Sequence, residues 1–183
     1  MSAEPIHDVL NQSSPLEDYD SFASDRALCD AVEREGGGWA AQRLSDAGRK
    51  FAAADTYRLA ALANAHRPVL RTHDRQGRRI DCVDFHPAWH ELLALSIERG
   101  IVSLAWEGGR PGSQVARAAL QFLYSQTECG SECPIAMSYA AVPVLRRFAA
   151  QVPDIADLWL PKLLSSRYDG RFIPARDKTG VLF

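Results

Sequence analysis

Two cysteines near the middle of this sequence have the spacing of metal ligands on a helix. Cys129 and Cys133 lie four residues apart. Gly130 and Ser131 interrupt the helical pattern between them, and the sequence has no second cysteine pair with ligand spacing and no C-x-x-C. We therefore expect two small buried side chains where two helices meet, and no metal or redox site. A metal or thiol site at this pair is the alternative.

Two histidines also share a spacing of four residues. His86 and His90 lie in the segment HPAWH. Zinc proteases use H-E-x-x-H, in which the glutamate is the general base, but this segment has no glutamate between its histidines. His86 precedes a proline and is predicted to cap a helix, whereas His90 is predicted to be a structural hydrogen-bonding residue.

Residues 68–85 form the longest stretch without helical periodicity. Within it, RTHDRQGRRID contains many charges and Gly77. This composition predicts a solvated loop with a turn at DRQGR. An anion-binding site is the alternative.

The glycine-rich segment REGGGWA follows a predicted helix, so it indicates a helix end and not a phosphate-binding loop. No G-x-S-x-G, Walker A or G-x-G-x-x-G motif occurs in the sequence.

The composition is that of an ordinary globular protein. The chain has 183 residues, a formal net charge of -2 and 46% hydrophobic residues. This charge balance gives no reason to expect a nucleic-acid partner. No apolar run is long enough to cross a membrane, and the acidic, polar N-terminus does not have the plan of a secretory signal. Four cysteines are too few for a disulfide scaffold, so we expect a cytoplasmic location.

Most of the chain has helical periodicity. Residues 1–22 are predicted to be an extended N-terminal arm, and residues 23–166 a helical domain. About six amphipathic helices are expected, and Ala40, Leu44, Ala47 and Phe51 mark one helical face. Gly and Pro residues mark most helix ends, and Pro143 is expected to kink the helix that contains it. The predicted fold class is therefore all-α, a bundle around one core.

Several segments together resemble one protein family. They include DRALCDAVEREGGGW, FHPAWH, CPIAMSYAAVP and SRYDGRFIPARDKTGVLF. In this order they resemble the N-terminal region of the AidB-like branch of the acyl-CoA dehydrogenase family, from about Asn11 to Phe183. The resemblance implies the helical N-terminal domain of that family. It also implies that KTGVLF begins the first strand of the middle β domain, so residues 167–183 are expected to be a linker and the start of a truncated domain.

The resemblance also implies a flavoenzyme. Members of this family bind FAD between the β domain, a C-terminal helical bundle and a neighbouring subunit, and they form homotetramers. They remove a proton alpha to a thioester while hydride passes to the flavin. The catalytic carboxylate and most flavin contacts lie outside the N-terminal domain, so the chain alone is not expected to bind flavin or to be catalytically competent. AidB members bind DNA through a basic C-terminal region. DNA binding is therefore not expected of this chain.

The resemblance places one wall of the acyl pocket on the helix that follows Gly130. The pocket-facing residues implied there are Ser138, Ala141, Val142 and Leu145. They share one helical face, and the same spacing also describes a plain core stripe.

Two hypotheses of different classes therefore remain. In the first, the chain is the N-terminal domain of an AidB-like FAD-dependent oxidoreductase, packing on β and C-terminal domains in the same chain or in a separate subunit. In the second, it is a stand-alone helical interaction module that kept the fold and lost the chemistry. A large exposed apolar patch favours the first hypothesis, whereas charged residues in place of such a patch favour the second.

Overall fold

The computed structural model describes residues 10–183, and the first nine residues of the predicted arm lie outside this range. The described chain contains seven α-helices and one β-hairpin, which confirms the all-α prediction. The elements are α1 (Arg26–Arg34), α2 (Ala41–Phe51), α3 (Ala54–Ala65), β1 (Val69–His73), β2 (Arg79–Asp84), α4 (Pro87–Glu98), α5 (Ser113–Ser125), α6 (Glu132–Phe148) and α7 (Pro153–Leu163), with short 3-10 helices at Gly38–Ala40, Leu104–Trp106 and Ala175–Asp177.

The main core lies between α2, α4 and α5. The face of α2 predicted from the sequence is buried there, with Leu44, Ala47 and Phe51 inaccessible to solvent. α2 packs on α5 and α3 packs on α4. Phe51 meets Tyr124 of α5 edge to face, with ring centroids 5.3 Å apart. This core fixes the position of α4, which carries much of the candidate site.

The first helix has a side-chain cap at its start and glycines at its end. The Asp25 side chain accepts a hydrogen bond from the Leu28 N–H at 2.9 Å, which satisfies one donor of the first turn. After the helix, Gly36 adopts a φ of 78°, a left-handed conformation that glycine reaches without steric cost. REGGGWA is therefore a helix end, as predicted.

The prediction of an irregular loop over residues 68–85 is wrong in part, because these residues form a hairpin. β1 and β2 pair antiparallel, with Leu70 opposite Val83 and Arg71 opposite Cys82. The turn predicted at DRQGR is present: the Asp74 N–H donates to the Arg78 carbonyl at 2.9 Å. Both strands are largely exposed, so charged and apolar side chains occur together on the hairpin surface. The sequence therefore lacks the regular polar and apolar alternation by which a half-buried strand is predicted.

The junction of α5 and α6 is built around a buried carboxylate. Glu128 accepts hydrogen bonds from the backbone N–H groups of Gly130 at 2.5 Å and Ser131 at 2.8 Å, and from the Ser131 hydroxyl. Glu128 is buried, whereas Cys129 and Cys133 are exposed. The expectation of two buried cysteines is therefore wrong, since the backbone and Glu128 fill the junction instead.

The C-terminal segment packs on the last two helices. Val181 is buried with Val142 of α6 and Leu163 of α7. Residues 178–183 have no strand conformation here, although KTGVLF was expected to begin a strand. Their amides bond to helices instead: the Val181 N–H donates to the Lys162 carbonyl at 3.3 Å, and the Phe183 N–H donates to Ser138 Oγ at 2.9 Å.

The described part of the N-terminal arm is irregular, and its end is fixed on the core. Asp18 N–H donates to the Ala52 carbonyl at 2.7 Å, and Phe22 is buried. Asp20 accepts a hydrogen bond from Ser45. It also forms an ion pair with Arg49, in which Asp20 Oδ2 lies 2.8 Å from an Arg49 guanidinium nitrogen. Within residues 10–183, no helix combines the length and the apolar character that crossing a membrane requires.

Candidate functional site

The four residues predicted to face an acyl pocket lie on the inner face of α6. Ser138 and Val142 are fully buried, and Ala141 and Leu145 are half-buried. Ala141, Val142 and Leu145 pack against α7 and the C-terminal segment. Ser138 Oγ donates to the Pro134 carbonyl at 2.6 Å and accepts from Phe183 N–H. The structure therefore brings all four together, and their pocket role stays a prediction.

A cavity that none of these four residues lines lies elsewhere in the described chain. It has a volume of about 740 Å³ and opens between the end of β2, α4 and the C-terminal segment. Ligand pockets of this size are typical of small-molecule sites. None of the four predicted residues lines it, although Pro134 at the start of α6 does.

The apolar wall of the cavity is aromatic. Phe85 and Trp89 stack with ring centroids 5.2 Å apart, and Leu93 forms the buried floor beneath them. Phe183 also lines the cavity, and its ring stacks on Trp159 of α7 with centroids 4.8 Å apart. Each of these rings packs against a second aromatic side chain, which restricts its movement.

A histidine and a tyrosine form the polar end. His90 Nδ1 and Tyr168 Oη are hydrogen-bonded at 2.7 Å. Burial, with the positive charge of Lys178 adding to it, lowers the pKa of His90. Burial raises the pKa of Tyr168 to about 12. At neutral pH the pair is therefore an uncharged imidazole and an uncharged phenol, which confirms His90 as a structural hydrogen-bonding residue. His86 caps α4, as predicted, by accepting from Ala88 N–H at 3.2 Å.

A buried aspartate anchors the segment that closes the cavity. Asp169 receives two hydrogen bonds from the Arg171 guanidinium, at 2.8 and 2.6 Å, and one from the Thr179 N–H at 3.0 Å. The Arg171 hydrogen bonds, assisted by the backbone donors, hold the pKa of Asp169 well below its usual range. Asp169 therefore joins the two halves of the C-terminal segment.

Gly170 allows this segment to approach α4 closely. A Cβ at this position would lie 2.8 Å from His90 Nδ1 and 3.1 Å from Tyr168 Cε1. A side chain here would displace the histidine or the tyrosine. The glycine thus preserves both the hydrogen bond and the space beside it.

Two of the titratable side chains at the cavity have partners within the described chain. His90 is hydrogen-bonded to Tyr168, and Asp169 forms an ion pair with Arg171. Across residues 10–183, no three His, Cys, Asp or Glu side chains are grouped in a way that could hold a metal ion. What the site offers is an aromatic slot with hydrogen-bonding groups at one end.

A second surface with functional potential is the outer face of α6. Met137, Val144 and Phe148 are 56%, 56% and 42% exposed, and Ala141, which is half-buried because it also packs inward against α7, lies between them in sequence. Their spacing of four, three and four residues is that of a helix-packing seam. We call these four residues the α6 stripe. Monomeric domains rarely leave such a contiguous apolar row in water.

The sequence contained a signal for the cavity that residue chemistry alone did not reveal. FHPAWH supplies Phe85, Trp89 and His90, and SRYDGRFIP supplies Tyr168 and Asp169. CPIAMSYAAVP supplies Pro134. Three of the segments that carry the family resemblance therefore meet at one place.

Comparison with known proteins agrees with the fold. Residues 11–170 match the family model of the adaptive response protein AidB N-terminal domain. The chain is 44% identical over 177 residues to the putative acyl-CoA dehydrogenase AidB of Escherichia coli, covering 96% of this chain and 32% of that protein. It is 29% identical over 85 residues to acyl-CoA dehydrogenase family member 11 of Caenorhabditis elegans, covering 45% of this chain and 14% of that protein.

Two solved structures share the architecture. The Caenorhabditis elegans ACDH-11 structure, in complex with C11-CoA, superposes with a TM-score of 0.76 at 21% identity, over 91% of this chain and 30% of that one. The apo form of Bd2924 superposes with a TM-score of 0.75 at 28% identity, over 85% of this chain and 31% of that one. The chain thus spans about a third of the length of the E. coli relative and of both structures.

Proposed function

The chain belongs to the family of AidB N-terminal domains, and from this premise we propose that it is the N-terminal helical domain of an FAD-dependent, acyl-CoA dehydrogenase-like oxidoreductase. In this proposal its role is structural and substrate-facing. It packs on the β and C-terminal domains and on neighbouring subunits, and the inner face of α6 contributes to the wall of the acyl pocket.

The observation that carries this proposal is the α6 stripe. Its three large members, Met137, Val144 and Phe148, are 56%, 56% and 42% exposed in the described part of the chain. Burying side chains of this kind stabilises an interface by roughly 1.5–3 kcal/mol each. Phe172, which lines the cavity, is a further large apolar side chain with 67% exposure. A stand-alone module has no reason to keep this surface apolar.

The described residues do not fit a flavin dinucleotide. A pyrophosphate requires several cations or a row of free backbone N–H groups. Of the two cations at the cavity, Arg171 is paired with Asp169, and Lys178 stands alone. We therefore assign the flavin to parts of the whole protein that lie outside the region matched here. Both relatives are acyl-CoA dehydrogenases by name, and the ACDH-11 structure is a complex with C11-CoA, which supports an acyl thioester as the substrate class.

A domain exchange tests the proposal. The chain replaces the matching region of the E. coli relative, and the flavin bound per polypeptide is measured from the visible spectrum. We expect the chimera to retain flavin. Val144→Asp should abolish assembly and flavin binding, because it places a charge on the exposed apolar stripe that the other domains would bury, whereas Leu62→Asp on the exposed side of α3 should not.

Two results would contradict the proposal. One is a folded but colourless chimera. The other is an equal flavin content in the Val144→Asp and Leu62→Asp chimeras. Either would favour the stand-alone interaction module.

A further inference from the structure

A second, smaller cavity lies where α3 ends and α4 begins. Its volume is about 290 Å³, and Phe85 and Trp89 line it as well as the cavity described above. Its remaining residues lie at the end of α3 and just after it, at the start of α4, and at Gly130 in the α5–α6 junction. Three separate parts of the chain therefore meet at this cavity, which the function proposed above does not use.

Two stacked histidines fix the position of the two helix ends at the cavity. His66 is the residue that ends α3, and His86 is the residue that caps α4. Their rings lie 4.6 Å apart between centroids, with an interplanar angle of 10°. The contact closes the base of the β1–β2 hairpin, because residues 67–85 lie between the two histidines in sequence. Both histidines line the cavity, so packing between helix ends positions its polar groups.

The hydrogen bond that His86 accepts determines what its ring can offer to a ligand. Nδ1 accepts from the Ala88 N–H at 3.2 Å. A neutral imidazole has one nitrogen that accepts and one that carries a proton, so Nε2 of His86 is an N–H donor. A metal ion would need this nitrogen unprotonated, which would break the bond to Ala88. The ring therefore suits a ligand with acceptor oxygen atoms.

The charge that lines the cavity is positive. Arg67 lines it, and within residues 10–183 no carboxylate lies within 4.0 Å of its guanidinium. No Asp or Glu of the described chain lines the cavity. Glu128 bonds to the Gly130 N–H, but it is buried and also accepts from Ser131. The Arg67 guanidinium therefore remains available to an anion.

We propose that this cavity binds a small oxyanion of the phosphate type, held by the Arg67 guanidinium and by Nε2–H of His86. A guanidinium presents paired N–H groups whose geometry matches two oxygens of a phosphate. Asn64 is the further donor, since its amide group uses one N–H on the Ala60 carbonyl at 2.8 Å and keeps the other. The site lies at the base of the hairpin and not at its turn. The proposal rests on this cavity and does not depend on the function proposed for the whole protein.

Titration of the full chain with sodium phosphate, followed by the NMR signals of the histidine rings, tests the proposal. Sodium chloride at equal ionic strength is the reference. We expect saturable shifts of the His66 and His86 ring signals at millimolar phosphate, and none with chloride. Phenyl phosphate is the second probe. Tighter binding of phenyl phosphate would identify an aromatic phosphate ester as the ligand class, through contact with Trp89, and equal or weaker binding would identify the free ion.

Three variants locate the anion. Arg67→Gln should weaken phosphate about fivefold, the effect of an exposed ion pair at the upper end of its usual range. His86→Asn keeps an acceptor for the start of α4 but removes the ring donor, and it should weaken phosphate about threefold, measured at His66. Arg75→Gln is the matched control. It removes an exposed guanidinium at the hairpin turn, likewise without a carboxylate within 4.0 Å in residues 10–183, and should leave binding unchanged.

Three results would overturn the proposal. The first is that phosphate shifts the His66 ring signals no more than chloride does. The second is that neither Arg67→Gln nor His86→Asn weakens binding. The third is that Arg75→Gln weakens binding as much as Arg67→Gln, which would place the anion at the hairpin turn.

Discussion

Replacing Asp169 with asparagine should release the C-terminal segment from the domain. The carboxylate accepts five hydrogen bonds, from the Arg171 N–H at 3.2 Å, the Arg171 guanidinium at 2.8 and 2.6 Å, the Thr179 N–H at 3.0 Å and the Thr179 hydroxyl at 3.5 Å. Asparagine has one acceptor oxygen in place of two, and it carries no charge. The substitution therefore removes at least the hydrogen bonds that one of the two carboxylate oxygens accepts.

The size of the effect follows from the surroundings of the two partners. The Asp169 side chain is 5% exposed, whereas that of Arg171 is 60% exposed. A hydrogen bond to a charged group contributes about 1.5–3 kcal/mol, but the released Arg171 is rehydrated. We therefore expect a loss of about 2–3 kcal/mol, smaller than for a fully buried ion pair. At about 1.4 kcal/mol per factor of ten, this corresponds to a 30- to 160-fold faster hydrogen exchange at Thr179.

Amide hydrogen exchange at neutral pH measures this directly. Asp177→Asn is the matched control: it makes the same chemical change in the same segment, at an exposed carboxylate whose nearest cation is 3.8 Å away. It should change exchange at Thr179 less than threefold, since exposed ion pairs contribute about 0–1 kcal/mol. Equal effects of the two substitutions would refute the anchoring role of Asp169.

The same residue predicts a pH dependence. Arg171 and the backbone donors lower the pKa of Asp169 in the folded chain, so the folded state keeps this carboxylate ionised where the unfolded chain protonates it. Its contribution to stability is therefore complete above about pH 4 and is lost as the pH falls further. Asp169→Asn should remove this part of the acid dependence.

Three further predictions concern stability measured by urea unfolding. Leu120→Ala in the fully buried core should cost about 2–5 kcal/mol, whereas Leu62→Ala on the exposed side of α3 should cost well under about 1 kcal/mol; similar losses would mean that α5 is not in the core. Glu128→Gln should cost about 1–3 kcal/mol, because an amide cannot replace the carboxylate beneath Gly130 and Ser131; no loss would contradict the hydrogen-bonded junction. Burial lowers the pKa of His90, so stability should decrease as the pH falls below about 6.5, and His90→Gln should remove that decrease; an unchanged profile would count against its burial in neutral form.

The helices could be predicted because their signals are local. Asp25 caps α1, and Leu44, Ala47 and Phe51 repeat at the helical period, so a short window of sequence determines both the element and its buried face. The hairpin was missed because β1 and β2 lie on the surface, where no buried face imposes a clear alternation. Its turn was predicted, since Asp74 and Gly77 are local turn residues.

The cavity could not be predicted from spacing, because its groups come from separate segments. His90 and Tyr168 meet only after α4 and the C-terminal segment have packed on the same core. The buried state of Asp169 likewise depends on Arg171 and Thr179 folding back toward it. The segments that carry the resemblance contain most of these residues. That the residues come together in space is known only from the fold.

The central claim is that this chain acts as one domain of a longer flavoprotein. The size of the polypeptide in its source cells, determined with an antibody raised against this chain, tests that claim most directly. The account predicts a polypeptide well above 20.2 kDa. A polypeptide of 20.2 kDa would contradict it and would identify the chain as a stand-alone helical module.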